Sequence, residues 1–509
     1  MTAIDPTATD SLHTVRELLL GIDIGTASSK GVLVRADGTI LATAQRPHRL
    51  ALPRPGWAEH DALDVWWADV VALCGELVPR AEGRLAGVAV SGIGPCLLPV
   101  DAADVPLRPA ILYGIDTRAT AEIADLTKRY GAAAILARGG SALTSQAVGP
   151  KLLWLQRHEP ELWARTARFY MASSFAVRRL TGAYVLDHHS ASQCDPLYDL
   201  DGRDWAADWA AEIAPGLELP RLVWPAAVVG TVTTAAAAET GLPAGTPVVA
   251  GTIDAWAEAV SVGVRRPGDL MLMYGTTMFL VEVVDRTLVD PRLWATAGPF
   301  EGTTTLGAGL ATSGALTGWF REIAGGPPFE QLIEEAARVE PGSEGLVVLP
   351  YFAGERTPIH DPEARGVIAG LTLRHGRGHL YRALLEGTAY AVRHNLEVFG
   401  EIGAAPLRVV AVGGGTAGDL WTQIVSDVTG REQELPAETV GAGYGDAFLA
   451  AIGTGLARPD DVWNPIVRRV VPHVDRRTAY DAGYDVYRSL YPATREQMHA
   501  LARAQAGVA

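Results

Sequence analysis

The sequence predicts an α/β protein made of two related domains, and three observations support this. A glycine–threonine turn between apolar strands occurs twice, strands alternate with helices after each copy, and two apolar strands end alike in small residues. The first copy is Leu18–Val34 (LLLGIDIGTASSKGVLV), bending at Asp23, Gly25 and Thr26. The second is Asp269–Val284 (DLMLMYGTTMFLVEVV), bending at Gly275, Thr276 and Thr277. A chain of 509 residues also exceeds what one core organises.

Taken in order, Leu18–Ile24, Lys30–Arg35 and Ile40–Ala44 read as a three-strand meander. Ala27–Ser29 and the ADGT turn at Ala36–Thr39 separate the strands. Asp61–Val78 places Trp66, Val70, Leu73, Cys74 and Leu77 at helical spacing, and Leu85–Val90 follows as a buried strand. After the second copy, a helix is expected over His379–Phe399, with Leu380, Leu384, Leu385, Ala389, Val392 and Leu396 on one side. It leads into the strand Leu407–Val412 and then Gly413-Gly414-Gly415. Gly87–Gly92 (GVAVSG) and Val409–Gly414 (VVAVGG) are the matching strands. The join falls near Gly241–Gly251 (GLPAGTPVVAG). This gives a lead-in over 1–16, domains over 17–248 and 249–492, and a helical tail over 493–509.

Composition narrows the class. A formal charge of −15 argues against non-specific nucleic-acid binding and against an anionic membrane surface. Cys74, Cys96 and Cys194 are widely spaced, so neither a disulfide framework nor a zinc knuckle is expected. No long uncharged apolar run reads as a membrane span, and the polar N-terminus does not read as a secretory signal. A cytoplasmic location is expected. His188-His189 reads as structural or surface histidine, and homodimerisation is left open.

The two turns point to a polyphosphate gripped from both sides. Glycine lets backbone approach a ligand closely, and successive N–H groups with a threonine hydroxyl at a tight turn make an anion pocket. Phosphoryl transfer from ATP asks for positioning and charge neutralisation, and Mg²⁺ asks for oxygen ligands. Asp23, inside an apolar strand just before the bend, suits the metal; a turn-capping carboxylate is the bland alternative. Gly25, Thr26, Ser28 and Lys30 follow within reach of phosphate oxygens, and Gly275 and Thr276 would meet them from the other half. Asp254 (VVAGTIDAWA) is delivered by an apolar strand near the hinge, where a carboxylate can take a hydroxyl proton. It equally suits a helix N-cap. Gly413, Gly414 and Gly415 either let an adenosine lie against backbone or form a tight strand–helix turn. Gly94, in the GIG run, is in the same position, and Trp57 is either core or the face of a sugar site.

These segments, in this order from Leu18 to Leu456, resemble the FGGY carbohydrate kinases of the actin/hexokinase/Hsp70 ATPase superfamily. LLGIDIGTASSKG and YGTT are similar to the family's phosphate motifs, GTIDAWAEAVSVGV to its catalytic-base segment, and PKLLWLQRHEPELW to its first signature. LPYFAGERTPIHDPEARGVIAGL with HLYRALLEG is similar to the second signature, and VGGGTAGDLWTQI to an adenosine-side segment. The resemblance implies two ribonuclease-H-like domains closing on ATP·Mg²⁺ and a sugar or polyol. It implies Asp23 at the metal, Asp254 as general base, and Asp116 and Arg118 (ILYGIDTRA) beside the sugar, with Tyr113 where a pocket tryptophan is usual.

Motif spacing resembles the xylulose kinase branch best. Yet that branch's Gln-Met-His is replaced by Ile93-Gly94-Pro95-Cys96, so a ketose such as D-xylulose, a hexulose or a polyol are all expected acceptors. The rival expectations are an actin-like nucleotide-switched assembly protein and a catalytically degenerate sugar sensor.

Overall fold

The computed structural model describes residues 17–81 and 84–506. The expected lead-in 1–16 lies outside the described residues. Strands β1 (Glu17–Ile24), β2 (Ser28–Arg35) and β3 (Ile40–Pro47) form the meander. Leu18 stands opposite Arg35 and Ile24 opposite Ser29 across its first pair. The uninterrupted apolar run of β1 is explained by burial on both faces. Leu18, Leu20, Ile22 and Ile24 enter one core, while Leu19 enters another with Val32 and Val34.

Asp61 starts the helix expected over 61–78 by accepting the N–H groups of Leu63 and Asp64 at 2.8 Å each. Ala62–Trp67 wind as a wide turn before the regular helix α1 (Ala68–Leu77). Strand β4 (Arg84–Gly92) then lies parallel to β1, and helix α2 (Val148–His158) belongs to the long excursion that follows. Strands β5 (Val228–Thr231) and β6 (Pro247–Val249) complete a sheet ordered β5-β6-β4-β1-β2-β3. Helix α3 (Asp254–Ser261) leaves directly after it.

The second sheet uses β7 (Asp269–Tyr274), β8 (Met278–Val284), β9 (Trp294–Ala297), β10 (Thr304–Leu310), β11 (Arg408–Val412), β12 (Gln433–Pro436) and β13 (Ile466–Val470). Their order is β9-β10-β8-β7-β11-β12-β13. As β1 is antiparallel to β2 and parallel to β4, so β7 is antiparallel to β8 and parallel to β11. GVAVSG and VVAVGG therefore occupy matching places beside matching hairpins. Helices α4 (Gly314–Ile323), α5 (Arg377–Glu401) and α6 (Asp419–Thr429) belong to this half.

Helix α7 (Ala442–Gly453) joins the halves, because it packs on β1 and β4 of the first sheet and on α3. Gly21 of β1 makes this approach feasible: a Cβ there would collide with the Gly443 carbonyl. Helix α8 (Arg477–Ala506) carries through Pro492 and buries Tyr480, Tyr484, Tyr487, Met498 and Ala502. Cys74, Cys96 and Cys194 are free and buried. Among the described residues no helix is long and apolar enough to cross a membrane.

Candidate active site

Two carboxylates emerge at the C-terminal edge of the first sheet, on either side of β4. Asp23 is the register partner of Ser91, and the next residue of β4, Gly92, bridges Ile253 on its other side. Ile93 N–H donates to the Ile24 carbonyl at 2.7 Å, and Gly92 N–H to the Thr252 carbonyl at 3.2 Å. Asp254 follows as the first residue of α3, its Oδ1 accepting the Ala255 N–H at 2.7 Å. Ligand sites of parallel α/β sheets lie beyond such strand ends.

Both residues line one cavity of about 350 Å³ between the halves. The first half contributes Ile93, Gly94, Tyr113, Gln146 and Asp195; the second contributes Thr277, Phe279, Trp294 and Arg356. Glu258, one helical turn beyond Asp254, lines it too. Burial raises the Asp254 carboxyl well above its usual range, and the neighbouring Asp23 and Glu258 raise it further. Burial pushes Asp23 up to about 6 against the opposing pull of Lys30, its cross-strand partner. Glu258 is pushed up to about 7 by burial and by Asp23. Asp23 Oδ1 is buried without a hydrogen-bond partner, which fits an oxygen ligand for a cation.

A second cavity of about 750 Å³ opens on the far side of the Gly275 turn. Apolar Ile333, Tyr381, Leu385, Leu420 and Trp421 wall it, and Gly275, Thr276, Gly414 and Gly415 line its polar side. The turn is braced by the start of α4, where Gly314 N–H donates to the Gly275 carbonyl at 2.9 Å and Ala315 N–H to the Thr276 carbonyl at 3.0 Å. Gly413 sits just outside, at φ 93° under the Tyr274 carbonyl, while Gly414 faces open space. A flat aromatic base with a phosphate tail fits these walls. Thr276 lines this cavity and Thr277 the acidic one, so the turn is the partition between them.

On the opposite turn, Gly25 N–H donates to the Ser28 carbonyl at 3.2 Å, and the Thr26 hydroxyl meets the Tyr113 hydroxyl at 3.0 Å. Ser28 accepts from Gln45 at 3.0 Å, and Lys30 is exposed. Trp57, Asp116 and Arg118, expected beside a sugar, do not line the cavity. Asp116 is buried and spent on the Ala58 N–H at 2.7 Å and on Arg118 at 2.7–3.0 Å. The Arg118 guanidinium in turn lies 3.8 Å over the Trp57 ring, and Trp57 packs edge-on to Trp154. These residues form a wall outside the cavity rather than its surface.

Sequence reading missed Glu258, Arg356, Asp195 and Asp446. The i, i+4 spacing of Asp254 and Glu258 was a usable signal for one of them. His188 and His189 have no partners for a metal: His188 meets the Tyr198 hydroxyl, and His189 stacks on Trp256 at 3.8 Å. No metal-holding cluster of His, Cys, Asp or Glu occurs among the described residues.

Comparison with known proteins identifies the family. Family models for the N-terminal and C-terminal domains of the FGGY family of carbohydrate kinases match residues 18–261 and 270–454. The chain belongs to the FGGY family of carbohydrate kinases. It is 30% identical to a xylulose kinase of Escherichia coli (strain K12), covering 93% of this chain and 98% of that one. It is 26% identical to a gluconokinase of Bacillus subtilis (strain 168), covering 93% and 94%. The crystal structure of xylulose kinase from Rhodospirillum rubrum superposes with a TM-score of 0.88 at 35% identity, over 95% of this chain and 100% of that one. The fold is thus the two-domain FGGY kinase fold of the actin/hexokinase-like ATPases. The enzyme is a phosphotransferase with an alcohol acceptor, and membership of the family implies use of ATP with a divalent metal. Neither the assembly-protein reading nor the sensor reading is favoured.

Proposed function

We propose that this FGGY kinase transfers the γ-phosphate of ATP to a hydroxyl of a ketose or polyol, with Asp254 as the general base. The observation that carries the reading is the partition at Gly275–Thr277. An apolar-walled cavity suited to a nucleoside lies on one side, and a cavity floored by Asp23 and Asp254 lies on the other. A nucleotide lying with its base against Trp421 and Gly414 directs its phosphates over the turn toward the carboxylates.

Asp254 is held by the Ala255 N–H at the start of α3, where it can accept the acceptor's hydroxyl proton as the oxygen attacks phosphorus. The residues that would hold Mg²⁺ centre on Asp23, whose unpartnered Oδ1 suits it. When bound, Mg²⁺ neutralises charge on the phosphates. Thr26, Thr276 and their turns supply N–H and hydroxyl donors to phosphate oxygens from both halves. Enclosing the acceptor hydroxyl between the halves keeps water from taking its place.

The test is ADP release across a panel of ketoses, alditols and aldonates, for wild type and Asp254→Asn. Wild type should release ADP with a ketose or polyol. The variant should lose ~10²–10⁴-fold in turnover while binding ATP nearly as well. Unchanged turnover in the variant would remove Asp254 from this role.

A further inference from the structure

The acceptor cavity contains a carboxyl group that phosphoryl transfer leaves unused. Asp195 lines it, is only 5% exposed, and makes no side-chain hydrogen bond among the described residues. Its backbone is fixed, because its carbonyl accepts the Gly149 N–H of α2 at 3.0 Å. Gly139 makes room for the carboxyl: a Cβ there would collide with Oδ1. Folding a carboxyl into such a place without a donor is unfavourable, and a ligand bringing hydroxyl donors offsets that cost.

Its neighbour Gln193 is oriented by a chain of fixed polarity. The Ala297 carbonyl can only accept, so His189 Nδ1 donates to it at 2.9 Å and leaves Nε2 as an acceptor. Gln193 Nε2 therefore donates to His189 Nε2 at 3.0 Å, which leaves Gln193 Oε1 to accept from a ligand. Trp294 Nε1, on strand β9 whose Ala297 N–H donates to the Ser192 hydroxyl, is a buried N–H with no acceptor and lines the same cavity. A carboxyl, an amide oxygen and an N–H donor lining one cavity match a hydroxylated carbon chain, because each hydroxyl both donates and accepts. The wall at Gly94 cannot supply such contacts. A Cβ there would lie 2.6 Å from Ile253 Cγ1, and its neighbours Ile93 and Ile253 are apolar.

We propose that Asp195 and Gln193 determine specificity in this kinase by binding hydroxyls of an uncharged ketose or alditol. The inference rests on the sugar-kinase reading above and deepens it.

Calorimetric titration of sugars without ATP, paired with steady-state kinetics, tests the subsite separately from the reaction. Wild type should bind and phosphorylate an uncharged ketose or alditol. Asp195→Ala should weaken sugar binding and raise its KM roughly 10–100-fold, with kcat changing far less. Asp195→Asn should fall between the two, and Gln193→Leu should also raise KM. Should Asp195→Ala fail to fold, the near-isosteric Asp195→Asn and Gln193→Leu carry the same readout. KM and affinity within twofold of wild type in all variants would overturn the proposal, as would a wild-type preference for an aldonate. If no sugar releases ADP, the kinase reading fails on its own. Titration still decides the subsite: wild-type binding lost in Asp195→Ala supports it, and no binding of any uncharged sugar rejects it.

Discussion

Asp254 and Glu258 stand one turn apart at the start of α3 and line the same cavity, with Asp23 close enough to raise the carboxyl of each. Three carboxyl groups in one enclosed space cannot all ionise freely, and Asp23 raises both of the others while Glu258 raises Asp254.

A pH profile exposes this coupling. Asp254, proposed as the base, must be ionised to accept a proton, and burial with Asp23 and Glu258 raises it, so the acid limb of kcat/KM should lie above the ordinary carboxylate range. Replacing Glu258 with Gln removes one of the charges that raise Asp254. The acid limb of kcat/KM should therefore move to lower pH in Glu258→Gln. A shift toward higher pH would show that Glu258 does not act on Asp254 through its charge.

The glycine run after β11 separates backbone strain from ligand contact. Gly413 lies at φ 93°, where a Cβ would stand 2.7 Å from the Tyr274 carbonyl oxygen. Gly413→Ala should cost about 1–3 kcal/mol for the positive-φ, extended-ψ backbone alone, read as a lower denaturation midpoint. A Cβ at Gly414 would meet nothing within 4 Å, and this residue lines the apolar-walled cavity. Gly414→Ala should leave stability within about 0.5 kcal/mol while raising the KM for ATP several-fold. The reverse pattern, with Gly414→Ala unstable and kinetically silent, would put the nucleotide elsewhere.

What the sequence disclosed was local. The repeated hairpins and the strands GVAVSG and VVAVGG are contiguous patterns of period two ending in small residues, and they occupy matching places in the two sheets. Asp23 and Asp254 were legible because an acid at the end of an apolar strand conflicts with its surroundings. Contacts assembled from remote segments left no such mark. Ser91 donates its hydroxyl to Asp446 at 2.6 Å across 355 positions, and nothing beside either residue announces the other. Asp195 likewise acquires meaning only when Gly139, Gly149 and Trp294 gather around it. The Asp116–Arg118 pair reads the same from sequence whether it faces a sugar or a tryptophan; only packing decides.

That pair supplies the remaining prediction. Asp116 and Arg118 are both buried, and Arg118 also reaches Glu59 at 2.8 Å, so the guanidinium beneath Trp57 neutralises Asp116 and shares Glu59 with Arg108. Removing one partner of a buried ion pair strands the other charge, typically costing about 3–5 kcal/mol. Arg118→Ala should therefore lower the urea midpoint sharply. Because the side chain lies outside the acceptor cavity, the folded fraction should keep its KM for the sugar. Arg118→Met, which retains much of the stem over Trp57 while removing the charge, should recover only part of the loss, since Asp116 stays unneutralised while Glu59 keeps Arg108. A large rise in sugar KM with an unmoved midpoint would instead place Arg118 against the substrate.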